Sequence, residues 1–329
     1  MTTGPFDEPY APRRKRRLGD VIDRRSRDAL PAPVYDALLS GYHGLRGVAR
    51  RNPGRGRTVP DFVVLGAAKA GTTSLFGWLC EHPDVRGPAR KEINYFSYFF
   101  YRGTDWYRQH FPTERERREH TAEHGRPFLT GEASPSYLLH DWAPERLRDL
   151  LPDAKLIVQF RDPVERAYSQ FQMRRRDGEE PLESFEAAVE AEDERIAAEH
   201  ARMLADPRYS SLAVACWSYL MRSRYVEQVE RWFEHFPRNQ FHFLTLEELA
   251  ADPRGALDRV LAFLELPPRD AASFRARFAF DYEPLSAATR LRLQEYFRPY
   301  NERLYDLLGV DYGWEALSAS SPATGGLTS

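Results

Sequence analysis

The stretch DFVVLGAAKAGTTS, residues 61–74, decides the fold of this chain. Phe62 to Leu65 are apolar, include two β-branched valines and are closed by a glycine, which predicts a buried strand over 61–66. Residues 73–81 predict a helix that ends before His82-Pro83. A strand that turns directly into a helix leaves the first N–H groups of the helix facing outward, where the helix dipole favours an anion. The stretch therefore predicts a loop that binds phosphate.

The position of the lysine separates this loop from those that bind ATP or GTP. Gly66 and Gly71 have the spacing of the Walker A motif, but Thr72 follows Gly71 where that motif has lysine. The lysine stands three positions before Thr72, at Lys69. Such a loop suits one 5′-phosphate, with the ammonium group beside an outer oxygen of that phosphate.

The rest of the chain alternates strands with helices, which predicts an α/β fold with a parallel sheet flanked by helices on both faces. Further strands are expected over 128–132, 155–160 and 240–244, and helices over 144–151, 162–176, 225–236, from 245 onward, 257–266 and 286–307. The acidic segment 181–206 has a helical pattern and is expected to be an exposed flap or an insertion.

Three further segments carry candidate site residues. Arg161 ends a predicted strand and Ser169 lies early in the following helix, so both can converge on one anion, with the arginine offering a bidentate fork. Lys91 and Glu92 stand next to each other in the loop expected over 83–104. Glu132 lies in the segment GEASPSY, residues 131–137, and is interpreted either as a structural carboxylate or as an acceptor contact.

Together these segments resemble sulfotransferases that use 3′-phosphoadenosine 5′-phosphosulfate (PAPS), over roughly residues 60–313. The resemblance is closest to heparan sulfate N- and 3-O-sulfotransferases and their bacterial relatives, and it implies a fold similar to P-loop nucleotide kinases. It implies that Lys69 stabilises the leaving phosphate and that Glu92 is the catalytic base. Lys91 and Glu132 would contact the substrate. The nucleotide would be held by Lys69, Ala70, Gly71, Thr72, Thr73, Ser74, Arg161 and Ser169.

The sequence departs from the family in two places. Ala133 stands where several animal members have a lysine, so their acceptor preference does not transfer directly. Those enzymes also have a late Lys-Gly-Arg loop over the nucleotide, for which only residues 275–282 offer a substitute here. We expect PAPS as co-substrate, PAP as product and no metal.

Composition sets the remaining expectations. The chain has 329 residues and a net charge of −2, which argues against a nucleic-acid partner. Cys80 and Cys216 form no disulfide framework, so a cytoplasmic protein is expected. The domain is expected over 58–315, before a tail at 316–329 that is expected to be disordered. Residues 1–57 hold 13 Lys/Arg against 6 Asp/Glu and predict a basic leader, partly disordered or helical, or a weak contact with a membrane surface.

The acceptor and the reaction class leave alternatives open at this point. A hydroxyl or amine of a glycan is the acceptor that the resemblance favours, with other small molecules and lipids still open. An ATP-dependent small-molecule kinase with an atypical P-loop is one alternative, although Thr72 speaks against it. A non-catalytic nucleotide-binding protein is the other.

Overall fold

The structure is a computed structural model, and it describes residues 54–268 and 282–316. The predicted basic leader lies outside the described residues up to position 53, and so does the predicted tail from position 317. Most of the segment 275–282, expected to cover the nucleotide, lies outside them as well. The expected domain limits of 58 and 315 both fall within the described part of the chain and stay a prediction.

Five parallel strands form one sheet, in the order β2-β3-β1-β4-β5. The strand built from residues 61–66, β1, lies in the middle and is hydrogen-bonded to β3 along one edge and to β4 along the other. Because parallel strands all end at the same edge of a sheet, the loops after β1, β3 and β4 meet there. The strands are β1 Phe62–Gly66, β2 Val85–Arg86, β3 Leu129–Ala133, β4 Lys155–Phe160 and β5 Phe241–Thr245.

Helices connect the strands and cover the sheet, as the alternating pattern predicts. Within the described ranges they are α1 Thr72–Cys80, α2 Thr104–Arg108, α3 Glu114–His124, α4 Ala143–Leu150, α5 Pro163–Arg176, α6 Phe185–Glu190, α7 Glu192–Ala205, α8 Leu212–Trp217, α9 Tyr225–Phe233, α10 Leu246–Ala251, α11 Pro253–Phe263 and α12 Ala287–Leu308.

The hydrophobic core has one layer on each face of the sheet, because side chains alternate along each strand. Val63 and Leu65 of β1 face a layer built with α4, α9 and α12. Phe62 and Val64 face the opposite layer, built with α1, α10 and α11. The expected α/β fold with helices on both faces is therefore confirmed.

Local signals in the sequence predict the starts of two helices correctly. Asp162 caps α5 by accepting a hydrogen bond from the Glu165 backbone N–H at 2.9 Å. At the start of α10, Thr245 and Glu248 form the predicted capping box, each side chain accepting from the other's backbone N–H.

The sequence did not predict two elements, strand β2 and helix α3. Strand β2 has two residues, and α3 is polar all round and is held at its start by a capping box between Thr113 and Glu116. The helical pattern predicted for residues 181–206 is confirmed by α6 and α7. An exposed flap is not what these helices form, because they pack on the domain and bury Ile196 and Met203.

Among the described residues, no helix has the length and apolar character needed to cross a membrane.

Candidate active site

The loop between β1 and α1 has the backbone conformation of a phosphate cradle. Lys69 and Gly71 both have positive φ, 71° and 84°, so the chain turns sharply before α1 begins at Thr72. Gly71 is also required by space, because a Cβ there would lie 2.7 Å from Leu246 and 3.1 Å from the Gln159 amide nitrogen. Any other residue at position 71 would strain or displace the loop.

The start of α1 fits an anion. Gly71, at the capping position, supplies no side-chain bond to the first N–H groups of α1, of which that of Ser74 donates to the Gly71 carbonyl at 3.0 Å. The surrounding side chains are small and packed: Ala70 is fully buried, and Thr72 and Ser74 are 4% and 7% exposed. Backbone donors and hydroxyl groups therefore line this turn, as the sequence predicts for a phosphate site.

Lys69 lies half-buried in a positive environment. Its ammonium nitrogen is 3.6 Å from the Met173 sulfur on α5. Burial, followed by the charges of Arg176 and Arg161, lowers the pKa of Lys69 to about 8. An ammonium group without a carboxylate partner among these contacts is suited to receive a negative charge from a ligand.

Arg161 lies next to the same loop. One of its terminal nitrogens is 3.3 Å from the Lys69 carbonyl oxygen, and the other is 3.3 Å from Glu165 and 3.4 Å from the Tyr282 hydroxyl. These are long contacts, so the guanidinium can turn toward a phosphate at small cost. The carbonyl of Arg161 accepts from the Tyr225 hydroxyl at 2.9 Å, which fixes the backbone at the end of β4.

Ser169 lies on the same side of α5 as the lysine contact. It stands one helical turn before Met173, whose sulfur meets the Lys69 ammonium, and it is 6% exposed. The structure thus brings the β1–α1 loop, the end of β4 and this face of α5 together, as the sequence predicts.

The loop with Lys91 and Glu92 reaches the first turn of α1. The Lys91 ammonium donates to the Thr73 hydroxyl at 2.9 Å and to the Glu92 carboxylate at 2.8 Å. The Glu92 side chain remains half exposed, at 51%. The Glu92 carboxylate is therefore accessible to solvent and is linked to the phosphate loop through the Lys91 side chain.

Glu132 lies inside the protein, at the end of β3. It is fully buried in β3 and accepts from the Tyr107 hydroxyl at 2.8 Å and from Ser134 at 3.5 Å. Burial raises the pKa of Glu132 to about 7. This placement favours the structural role over the acceptor contact. Ala133, the position of the family's lysine, is fully buried as well.

Two charged residues near Arg161 were missed by the sequence analysis. Glu165, four residues later on α5, pairs with Arg161 and also with Arg290 of α12. The i, i+4 spacing of Arg161 and Glu165 is a signal that could have revealed the first pair. Nothing local in the sequence connects Glu165 with a residue 125 positions away.

Three features place this protein in the phosphate-loop class of α/β proteins. They are a central parallel strand, a glycine-bounded loop that opens a helix, and two cationic side chains beside that loop. Comparison with protein families narrows this class, because the sulfotransferase domain model matches residues 59–283, more than half of the chain. The chain belongs to the sulfotransferase domain family. Sulfuryl transfer is the activity that this membership supports.

Individual relatives agree with this assignment. A sulfotransferase crystal structure from Alicyclobacillus acidocaldarius is 30% identical, with a TM-score of 0.62 over 78% of this chain and 99% of that one. Heparan sulfate glucosamine 3-O-sulfotransferase 6 of Homo sapiens is 30% identical, over 80% of this chain and 75% of its own length. The membrane-associated sulfotransferase kil1 of Dictyostelium discoideum is 28% identical, over 78% and 67%. The kinase alternative finds no support in these relatives.

Proposed function

We propose that this protein transfers a sulfuryl group from PAPS to a hydroxyl or amine of a glycan or other small-molecule acceptor and releases PAP. The observation that carries the proposal is the meeting of Glu92, Lys91 and the phosphate loop at Thr73, with 2.9 Å between the Lys91 ammonium and the Thr73 hydroxyl. A base and a phosphate cradle on adjacent elements are what transfer from a nucleotide to an acceptor requires.

The transfer step follows from the roles of the two side chains. Glu92 takes the acceptor proton as the acceptor oxygen or nitrogen forms its bond to sulfur. The bond between sulfur and the 5′-phosphate oxygen of PAPS breaks, and its electron pair stays on that oxygen. The Lys69 ammonium stabilises the charge that develops there, which is an electrostatic contribution made in a partly buried site. Lys91 orients the carboxylate through its 2.8 Å contact with Glu92.

The donor would be held at both of its phosphates. The uncapped first turn of α1, with Ala70, Thr72 and Ser74 buried around it, suits the 5′-phosphosulfate. Arg161, whose guanidinium contacts with Lys69, Glu165 and Tyr282 are 3.3–3.4 Å long, suits the 3′-phosphate, and Ser169 would contribute a hydroxyl from the same face of α5. The dependence on PAPS is general to the family and supports this assignment.

Transfer without a metal stays a prediction. Over residues 54–268 and 282–316, no group of three or more His, Cys, Asp and Glu side chains is placed to hold a metal ion. Lys69, Lys91 and Arg161 supply positive charge at the places where a cation would otherwise neutralise phosphate oxygens.

The names of two relatives bear on the acceptor and on the location. The name of the human relative describes a heparan sulfate glucosamine 3-O-sulfotransferase, which supports a glycan acceptor. The name of the amoebal relative describes a membrane-associated protein. The cytoplasmic location expected from the two cysteines is not supported by that name and stays a prediction, as does a membrane contact of the basic leader.

Calorimetric titration tests the donor assignment. Wild-type protein is titrated with PAP and, separately, with ATP and Mg²⁺ at fixed salt. We expect a PAP Kd in the micromolar range, about −8 kcal/mol, and much weaker binding of ATP. Tight binding of ATP with Mg²⁺ in the absence of PAP binding would overturn the proposal.

A further inference from the structure

The loop that carries Glu92 has a backbone that its neighbours must hold in place. Glu92 and Asn94 both have positive φ, 57° and 54°, although neither is glycine. Side chains with a Cβ rarely adopt this conformation, and glutamate rarely does so without support from its surroundings. The direction of the Glu92 carboxylate therefore depends on the contacts that fix this loop.

Those contacts come from the end of β3 and the residues that follow it. The Glu92 N–H donates to the Ala133 carbonyl at 3.2 Å. The next two bonds use side-chain hydroxyls: the Asn94 N–H donates to Ser134 at 3.1 Å, and the Tyr95 N–H donates to Tyr137 at 2.9 Å. Two consecutive amides of the loop thus depend on two hydroxyl oxygens as acceptors.

Both of these hydroxyls share a second partner, the buried carboxylate of Glu132. Ser134 donates to it at 3.5 Å, and the Tyr137 hydroxyl is hydrogen-bonded to it as well. A third hydroxyl, that of Tyr107, donates to it at 2.8 Å, and the Tyr107 ring stacks on Tyr95 with the ring centroids 4.6 Å apart. Glu132 is fully buried beneath this network.

The chemistry of a carboxylate explains why this network orients the loop. An ionised carboxylate only accepts hydrogen bonds, whereas a hydroxyl has one proton to donate. With their protons directed to Glu132, Ser134 and Tyr137 present lone pairs to the amides of Asn94 and Tyr95. A carboxamide at position 132 would donate a hydrogen bond to the Ser134 or the Tyr137 hydroxyl. The proton of that hydroxyl would then point toward a loop amide that is itself a donor, so the hydrogen bond to the loop would be lost.

We propose that Glu132 is a positioning residue for Glu92, acting through the Ser134 and Tyr137 hydroxyls on the loop from 92 to 97. The inference rests on the proposed function, in which Glu92 accepts the acceptor proton. Glu132 itself is fully buried and reaches the loop through other side chains. It is coupled to the chemistry by the two hydroxyls and by the Tyr107–Tyr95 stack.

The test compares Glu132→Gln with a matched control, Glu192→Gln. Glu192 is also a buried carboxylate, 2% exposed, and it accepts from two backbone N–H groups, those of Leu220 and Met221, away from the Glu92 loop. Each protein is measured at pH 8 for PAP formation from PAPS, with and without a heparan sulfate oligosaccharide as acceptor probe. PAP affinity, Tm and hydrogen exchange of the peptide spanning 92–97 are measured in parallel.

For Glu132→Gln we expect kcat to fall about 10- to 100-fold, because small displacements of a catalytic group cost that much. PAP affinity should stay within about twofold, since the phosphate loop does not depend on this network. Amides in 92–97 should exchange faster. Glu192→Gln should lower Tm and leave both kcat and the exchange of 92–97 within about twofold of wild type.

A second variant and a second readout keep the inference falsifiable. Should Glu132→Gln fail to fold, Tyr107→Phe removes one hydrogen bond to the carboxylate and should shift kcat and loop exchange in the same direction by a smaller factor. Unchanged exchange in 92–97 together with unchanged kcat would overturn the positioning role. Absence of turnover in the wild type with this probe would instead exclude heparan sulfate as the acceptor, and exchange of 92–97 would still decide whether Glu132 holds the loop.

Discussion

Binding of PAP should be linked to protonation of Lys69, and the link can be measured. Burial and the charges of Arg176 and Arg161 lower the pKa of Lys69 to about 8 in the free protein. A phosphate beside the ammonium favours the charged form and raises that pKa. PAP binding should therefore draw a proton onto Lys69 when the free side chain is partly neutral.

The size of the effect follows from the pKa of the free protein. Lysine with a pKa of about 8 is mostly charged at pH 7 and mostly neutral at pH 9. If the bound form stays charged throughout, PAP affinity should fall about tenfold between pH 7 and pH 9, since each pH unit above the pKa costs a factor of ten. At pH 8 the binding should take up about half a proton.

Calorimetry in buffers of different ionisation enthalpy measures this proton uptake directly. Lys69→Arg is the matched control, because a guanidinium keeps its charge over the whole range. Its PAP affinity should vary less with pH, and the difference between the two proteins isolates Lys69 from other groups that titrate, such as Asp162 with a pKa raised by burial to about 7. The same pH dependence in both proteins would refute the assignment of Lys69 to the phosphate.

Three further predictions concern the donor site and the sheet. Arg161→Ala should weaken PAP binding about 100-fold, because a bidentate charged contact is lost. Calorimetry measures the affinity, and an affinity equal to that of the wild type would show that Arg161 does not bind the nucleotide. Glu165→Gln should tighten PAP binding about three- to tenfold at low salt, since Glu165 competes with phosphate for Arg161; unchanged affinity would argue against competition. Gly131→Ala should lower the free energy of unfolding by about 1–3 kcal/mol, because the new Cβ would lie 2.1 Å from the Phe62 ring. Urea denaturation measures this free energy, and an unchanged value would contradict the packing of Phe62 on Gly131.

The phosphate loop could be predicted from sequence because its determinants are local. Gly66, Lys69 and Gly71 stand within six residues, between a strand and a helix that each have a clear pattern. The position of Arg161 could be predicted for the same reason, since a strand end and an Asp-Pro helix start adjoin it. Neither prediction needed knowledge of a contact distant in sequence.

The role of Glu132 could not be settled from sequence, because it depends on partners that the fold supplies. Tyr107 is 25 residues away, and the loop amides that depend on Ser134 and Tyr137 are about 40 residues away. The pairing of Glu165 with Arg290 joins α5 to α12 and has no sequence signal. Helix α3 was missed because a helix that is polar all round shows no apolar period.

Sulfuryl transfer with Glu92 as base is tested most directly by PAP formation from PAPS in wild type and Glu92→Gln, with a panel of glycan and small-molecule acceptors. We expect turnover in the wild type that depends on an acceptor. In Glu92→Gln we expect a loss of about 100-fold or more, as removal of a general base typically costs about 10²–10⁴-fold, with PAP affinity little changed. Equal turnover by the two proteins would contradict the role of Glu92, and ADP formation from ATP in place of PAPS turnover would contradict sulfuryl transfer from PAPS.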